Sequence, residues 1–349
     1  MSERPMIRKQ RQNRMARSAG RPNGFTLIEL MVAMLLGLVV IGGVTSVFLA
    51  GQQTYRTNEA LSDVEQGSRT AFELLARDIR DAGNTGCDTS SGRVANVVNP
   101  PDPWYADWND ALVGYDDATT DPALAGITGN GAPVAKTSSV HVLSTANSDV
   151  TISQVPSKDS ASFEINAATT QLTTGELIMI CDFDHATILQ ITNYNGATNV
   201  VHDSGNNATP GNCSKGLGYP TICTGPATGN AYLFPPNSRV AVLTAEVWYI
   251  GTNPLNGQSL YRLDATSGAG GVTATPQEMV RNVTNMQIAY LQPPGATFST
   301  ASNVTNWAVV DAAQVTLTLL STSQRVGATS SAPLQRSFTS TTTVRTRVQ

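Results

Sequence analysis

From Phe25 to Ala50 the chain is apolar at nearly every position, and after Glu29 the next full charge is Arg56. A helix over that run would be roughly 39 Å long at 1.5 Å per residue, which spans a bilayer. From about Gln52 the pattern changes: Leu61, Val64, Ala71, Phe72, Leu75, Ile79 and Ala82 recur at three- and four-residue steps, while Arg56, Glu59, Asp63, Arg69, Glu73, Arg77 and Arg80 fall largely on other faces. That spacing predicts an amphipathic continuation, and hence one long helix whose second half packs on whatever follows. Gly83-Asn84 is its expected end, since these residues accept the backbone that closes helices.

After Cys87 the periodicity disappears. Residues 88–135 are rich in Asp, Asn, Gly, Pro and Thr and read as a long loop, with Trp104, Tyr105 and Trp108 clustered behind Pro100, Pro101 and Pro103. The aromatics suit either a partner contact or a satellite cluster tucked under the loop. Strand signals follow at 139–144, 176–181, 186–192, 239–250, 259–263, 286–291, 313–320 and 338–348. The run from Arg239 to Ile250 is the clearest, and Asn253-Pro254-Leu255-Asn256-Gly257 supplies a hairpin turn after it. Pro276 to Val283 reads as a short helix or turn, and no internal repeat is visible. The fold class expected is α+β, a long N-terminal helix on a β-rich, loop-rich domain.

Charge then orients the helix. Residues 1–24 hold seven of the 22 basic residues and one of the 26 acids, leaving the remainder at 15 against 25, a formal −10. A basic flank stays on the cytoplasmic side, so the β-rich part is expected outside the inner membrane. An ordinary secretory signal has its small-residue cleavage site after a shorter apolar core. Here the small residue, Gly24, precedes the core. The acidic remainder has no basic patch, which excludes nucleic acid as a partner.

Glu29 is costly where it stands. A carboxylate deep in a bilayer helix costs about 2.5–3.5 kcal/mol on insertion scales and so normally has a partner. No basic residue between Phe25 and Tyr55 can serve within the chain. An α-amino group at Phe25 of a neighbouring subunit would do so; the alternative is that Glu29 snorkels or protonates at the interface. Gly37, Gly42, Gly43 and Gly51 each cost about 1 kcal/mol in a soluble helix, whereas in lipid small residues allow helices to approach.

Gly24-Phe25-Thr26-Leu27-Ile28-Glu29 resembles the class III signal of type IV pilins and of the pseudopilins of type II secretion. The resemblance implies cleavage by a prepilin peptidase between Gly24 and Phe25, N-methylation of Phe25, and an assembly role for Glu29. The stretch from Glu65 to Cys87, with its arginine-rich turn ending in Ala82-Gly83 and Gly86-Cys87, is similar to the PilW family of minor pilins and, related to it, to J-type pseudopilins. It implies a structural minor pilin that takes part in type IV pilus initiation and twitching motility at or near the tip. Other minor and major pilins, the inner membrane and a tip adhesin are the implied partners, and the pilus on the cell surface is the destination. The organisation expected is a leader over 1–24, a helix over 25–84 that is transmembrane to about residue 50, and a periplasmic domain over 85–349.

Cysteine usage agrees with export. Four cysteines allow three pairings, and an oxidising periplasm favours disulfides. Cys213 and Cys223 enclose a short Gly- and Pro-bearing loop and are the favoured pair, leaving Cys87 with Cys181. No CxxC spacing supports zinc. Asp182, Asp184 and His185, with His202-Asp203 further on, invite a calcium-type metal reading, but a solvated hairpin turn explains the first three with less. No nucleophile elbow, P-loop or zinc-protease helix is present, so neither an enzyme nor a cofactor is expected. The competing readings are a minor pseudopilin of type II secretion and, in a different class, a membrane-anchored periplasmic enzyme or binding protein.

Overall fold

The computed structural model describes residues 24–87, 92–99, 103–158, 160–205, 208–224, 228–323 and 332–347. The basic leader residues Arg4 to Arg21, the Pro100–Asp102 stretch and Val348 lie outside that set. Helix α1 runs Leu27–Asp81, and the chain divides into two units between Tyr55 and Arg56.

In the N-terminal unit no described residue covers the apolar face of the helix: Leu27, Ile28, Leu38 and Phe48 are all more than half exposed. Its few hydroxyls are satisfied one turn back, Thr45 donating to the Ile41 carbonyl at 2.7 Å, Ser46 to Gly43 at 2.8 Å and Thr54 to Ala50 at 3.0 Å. Internally closed hydroxyls can sit in hydrocarbon, where water offers no replacement. In the second unit the same helix buries Ala60, Val64, Ser68, Ala71, Leu75, Ala76 and Ile79, the stripe that the three- and four-residue spacing predicts. Its end is built by long-range contacts: Gly83 turns at φ +71 and donates to the Leu143 carbonyl, while the Ala82 and Arg80 carbonyls accept from the Thr346 hydroxyl and the Arg345 amide.

The strands are β1 Val94–Asn96, β2 Leu112–Tyr115, β3 Ser139–Thr145, β4 Ile152–Gln154, β5 Ser162–Ile165, β6 Leu177–Cys181, β7 Ala186–Gln190 and β8 Asn193–Tyr194. They continue as β9 Asn199–Val201, β10 Arg239–Thr252, β11 Gln258–Gly268, β12 Gly271–Arg281, β13 Val283–Leu291, β14 Phe298–Ser299, β15 Ala312–Leu320 and β16 Gln335–Thr343. The largest sheet runs β1-β7-β6-β10-β11-β12, and β10 organises it. One edge of β10 pairs with β11, while the other takes β6 over Arg239–Val242 and then β3 over Leu243–Trp248, with β2 beyond β3. Two four-stranded sheets complete the fold, β14-β13-β15-β16 and β4-β5-β9-β8.

The buried face of α1 meets the eight-stranded sheet and the β14-β13-β15-β16 sheet. Val64, Ala71, Leu75 and Ile79 join Trp248, Ile250 and Leu260 from the first sheet and Met286, Tyr290, Val315 and Leu317 from the second in one cluster. Truncating a buried leucine such as Leu75 to alanine costs about 2–5 kcal/mol, so this stripe seats the helix. A second cluster around Phe163, Ile178, Ile180, Leu189 and Phe234 forms a separate core beneath the smallest sheet.

Three sequence readings are corrected. Pro276–Val283 is neither helix nor turn: Pro276 lies within β12 opposite Leu263, and β13 begins at Val283. An edge strand has an unpaired side, so a residue without an N–H is tolerated there, and Asn282, at φ +61, is the single residue between β12 and β13. The 88–135 stretch contains β1, parallel to β7, and β2, paired to β3. Trp104, Tyr105 and Trp108 are packed against core clusters, with Trp104 edge-on to Tyr105 at 5.6 Å and to His141 at 5.5 Å. Finally, the Asp182–His185 turn does join two strands, but Asp182 and His185 are buried rather than solvated.

Candidate processing and assembly site

Gly24, Phe25 and Glu29 sit at the start of α1. Thr26 precedes the first helical residue and its hydroxyl accepts from the Glu29 amide at 3.3 Å, while the Glu29 carboxylate accepts from that hydroxyl at 3.4 Å. The Leu30 amide donates to the Thr26 carbonyl at 3.1 Å, closing the first turn. Thr26-x-x-Glu29 thus behaves as a variant capping box, with the acid placed at the positive end of the helix dipole. The S/T-x-x-E spacing that signals such a cap is plain in the sequence, at the head of the apolar run. One local role of Glu29 is therefore to start the helix, and its exposed outer side leaves room for a further partner.

Among the described residues nothing crowds position 24. A Cβ there would meet no heavy atom within 4 Å, and the same holds for Gly37, Gly42, Gly43 and Gly51. Contrast Gly114, where a Cβ would collide with the Tyr290 ring, and Gly175, at φ +88 against the Gly268 backbone. The described fold thus places no steric limit on the residue at position 24.

In the second unit a charged cluster ties helix to sheet. Asp78 on α1 accepts from the Trp248 indole at 2.9 Å, and the Arg262 guanidinium lies 3.9 Å from Asp78, 3.7 Å from Glu246 and 2.6 Å from Asp264. Three carboxylates around one cation cannot all ionise cheaply. Burial first, then the hydrogen bond and charge of Asp78, push the Glu246 carboxyl up to about 8. Glu246 therefore keeps its proton at neutral pH.

Cys87 is bonded to Cys181 and Cys213 to Cys223. The first bridge lies between the end of α1 and β6, and the second closes the loop that covers the Asp182–His185 turn. In that turn the Asp182 carboxylate accepts the amides of Asp184 and His185 at 2.8 Å each and the Tyr232 hydroxyl at 2.8 Å. His185 stacks on Tyr232 at 4.2 Å and reaches the Leu217 carbonyl at 2.8 Å, while Asp184 pairs with Arg93. These contacts use the donor atoms that a cation would need, and Asp203, beside the buried His202, pairs with Lys215 at 3.3 Å. Among the described residues no group of three or more His, Cys, Asp or Glu is arranged to hold a metal.

Residues 21–45 match the family model of the prokaryotic N-terminal methylation motif. No curated protein and no solved structure matches the chain. The motif, a class III prepilin signal, supports a type IV pilin or pseudopilin, a kind of protein that is typically structural, is processed by prepilin peptidase and assembles with other pilins. The N-terminal apolar helix is consistent with anchoring in the inner membrane.

Proposed function

We propose that the chain is a minor pilin of the PilW family that takes part in type IV pilus assembly at or near the tip. The observation that carries the reading is Glu29, an acid in an apolar helix with no cation of its own chain between Phe25 and Tyr55. Cleavage between Gly24 and Phe25 would create one cation per subunit, the α-amino group, and the acid of a neighbour is its natural partner. In this reading 1–24 is a leader, 25–84 the helix and 85–349 a periplasmic domain whose two disulfides suit that compartment. Its bulk favours a tip or priming position over a subunit repeated along a fibre, with other pilins and a tip adhesin as neighbours.

The test is the intact mass and N-terminal residue of the protein purified from membranes of its own host. The expected product starts at N-methylated Phe25; a Met1 start, or a cut beyond the helix, overturns the reading in favour of an anchor on a periplasmic enzyme or binding protein. Deletion then separates the pseudopilin alternative: loss of surface pili with intact protein secretion is expected, and the converse assigns the chain to type II secretion.

A further inference from the structure

We propose that Asn195 is a site of covalent self-modification, where the folded chain converts asparagine to aspartate and isoaspartate with water as co-reactant and ammonia as leaving group. The sequence holds four Asn-Gly pairs, at 23–24, 130–131, 195–196 and 256–257, and both members of the last three are described. A glycine after the asparagine lacks the Cβ that would crowd its own amide nitrogen, so each pair carries the same reactive groups. The fold separates them. The Gly131 amide is buried and donates to the Thr252 carbonyl at 2.7 Å, and the Gly131 carbonyl accepts from the Tyr249 hydroxyl at 2.8 Å. The Gly257 amide donates to Asn253 Oδ1 at 2.9 Å. The Gly196 amide donates to no described residue. Asn256 is exposed as Asn195 is, so the bond held by the Gly257 amide is what sets those two pairs apart.

Asn195 and Gly196 form the exposed tip between β8 and β9, with Gly196 at φ +83. Asn195 Oδ1 accepts from the Ala197 amide at 3.1 Å. This side-chain turn closes a ring that contains both the carboxamide carbon Cγ and the Gly196 nitrogen, so electrophile and nucleophile are held on one short segment. It also places an N–H donor on the oxygen that gains negative charge when Cγ is attacked. Below the tip the hairpin is pinned. The Tyr194 amide donates to the Thr174 hydroxyl at 2.9 Å, the Tyr194 hydroxyl donates to the Thr169 carbonyl at 2.9 Å, and the Ile165 amide donates to the Thr198 carbonyl at 2.8 Å. Ring closure therefore asks only the tip to adjust.

The chemistry balances without an oxidant or a reductant. Hydroxide takes the Gly196 amide proton, the nitrogen bonds to Cγ, and the Cγ–Nδ2 bond breaks with Nδ2 leaving as ammonia, which gives a cyclic imide. Water then opens the ring. Breaking the new Cγ–N bond yields aspartate at position 195, and breaking the original peptide C–N bond yields isoaspartate, with the backbone routed through Cγ. Each event adds one negative charge at neutral pH. A carboxylate still accepts the Ala197 amide, so the aspartate form keeps its turn and accumulates in the folded protein as a record of its age.

The inference does not depend on the pilin reading and is tested on the full-length protein purified in detergent. The protein is aged at mildly alkaline pH, digested and mapped by mass spectrometry, reading the mass gain of amide-to-acid exchange and the separate elution of the aspartate and isoaspartate peptides. Giving up one hydrogen bond to free the nucleophile costs up to about tenfold, so Asn195 is expected to convert about tenfold faster than Asn130 and Asn256. Its rate is expected to rise with pH, because the attacking species is the deprotonated amide. In urea, where the fold no longer holds the Gly131 and Gly257 amides, the three rates are expected to converge. Asn253→Ala removes the acceptor of the Gly257 amide and is expected to raise conversion at Asn256 several-fold while Asn195 keeps its rate. Should that variant fail to fold, the comparison of folded with urea-unfolded wild type decides. Equal rates at the three sites in the folded protein, a faster site at Asn130 or Asn256, the same ranking in urea, or a folded Asn253→Ala protein with Asn256 at its wild-type rate overturns the proposal.

Discussion

At Glu29 two roles can be separated by chemistry. The cap uses the Thr26 hydroxyl and costs about 0.5–2 kcal/mol of local helix stability when lost, whereas pairing with a neighbour's amino group needs the negative charge. Thr26→Val should therefore leave pilus number near wild type. Glu29→Gln, which keeps the size and polarity of the side chain, should allow insertion and leader removal yet cut surface pili at least tenfold, scored by electron microscopy and by intact mass. Equal piliation in both variants would leave the cap as the only role. Gly24 obeys a different logic, because no atom of the fold crowds it: Gly24→Ala should be processed, while a bulky Gly24→Phe should keep its leader and abolish assembly. His202 is a third residue whose state the fold dictates. Burial holds its imidazole at about 4, below the ordinary 6.5, and its Nδ1 has no hydrogen-bond partner among the described residues. A depressed histidine favours the folded state fully above the unfolded value, and that contribution is lost as pH falls from 6.5 to 4, by up to about 3 kcal/mol. Thermal unfolding between pH 4 and 7 should show this acid limb, flattened in His202→Leu.

At the scale of elements, the charged cluster between α1 and the large sheet works in the opposite direction along the pH axis. Glu246 has a raised folded-state value of about 8, so its contribution is complete below the unfolded carboxylate range and is lost as pH rises towards and through 8. Unfolding midpoints should fall between pH 6 and 9, and Glu246→Gln should remove most of that slope by keeping the hydrogen bond without the titration; an unchanged slope would move the cause elsewhere. Part of this element was legible beforehand. Val64, Ala71, Leu75 and Ile79 repeat with the helical period, so the buried stripe follows from spacing alone. Asp78 also follows the period, but nothing local says that its neighbours will be Trp248, Glu246 and Arg262, which lie at least 168 residues away in the chain. Pro276 misled for a related reason, since its missing N–H matters only when the strand has partners on both sides, and β12 has one. The apolar half of α1 shows the reverse case: its pattern is unmistakable, yet no packing partner is legible, and none lies among the described residues.

For the whole molecule, the two bridges constrain the unfolded chain very differently. Cys87 and Cys181 are 94 residues apart and Cys213 and Cys223 are 10 apart. Loop-closure entropy grows with the logarithm of that separation, which gives about 4–5 kcal/mol for the long bridge and about 2–3 for the short one. The long bridge also joins the end of α1 to β6, the position from which β10 and hence the main sheet is approached. Cys87→Ser/Cys181→Ser should therefore lower the thermal midpoint of the Arg56–Gln349 unit, followed in the full-length protein, by more than Cys213→Ser/Cys223→Ser does. The short bridge instead closes the loop over the His185–Tyr232 stack, so its removal should act locally, raising proteolysis within 208–234 while the main transition stays close to wild type. An equal loss of midpoint in the two double variants would show that the short loop is part of the cooperative core and that its closure, not chain entropy, sets the cost.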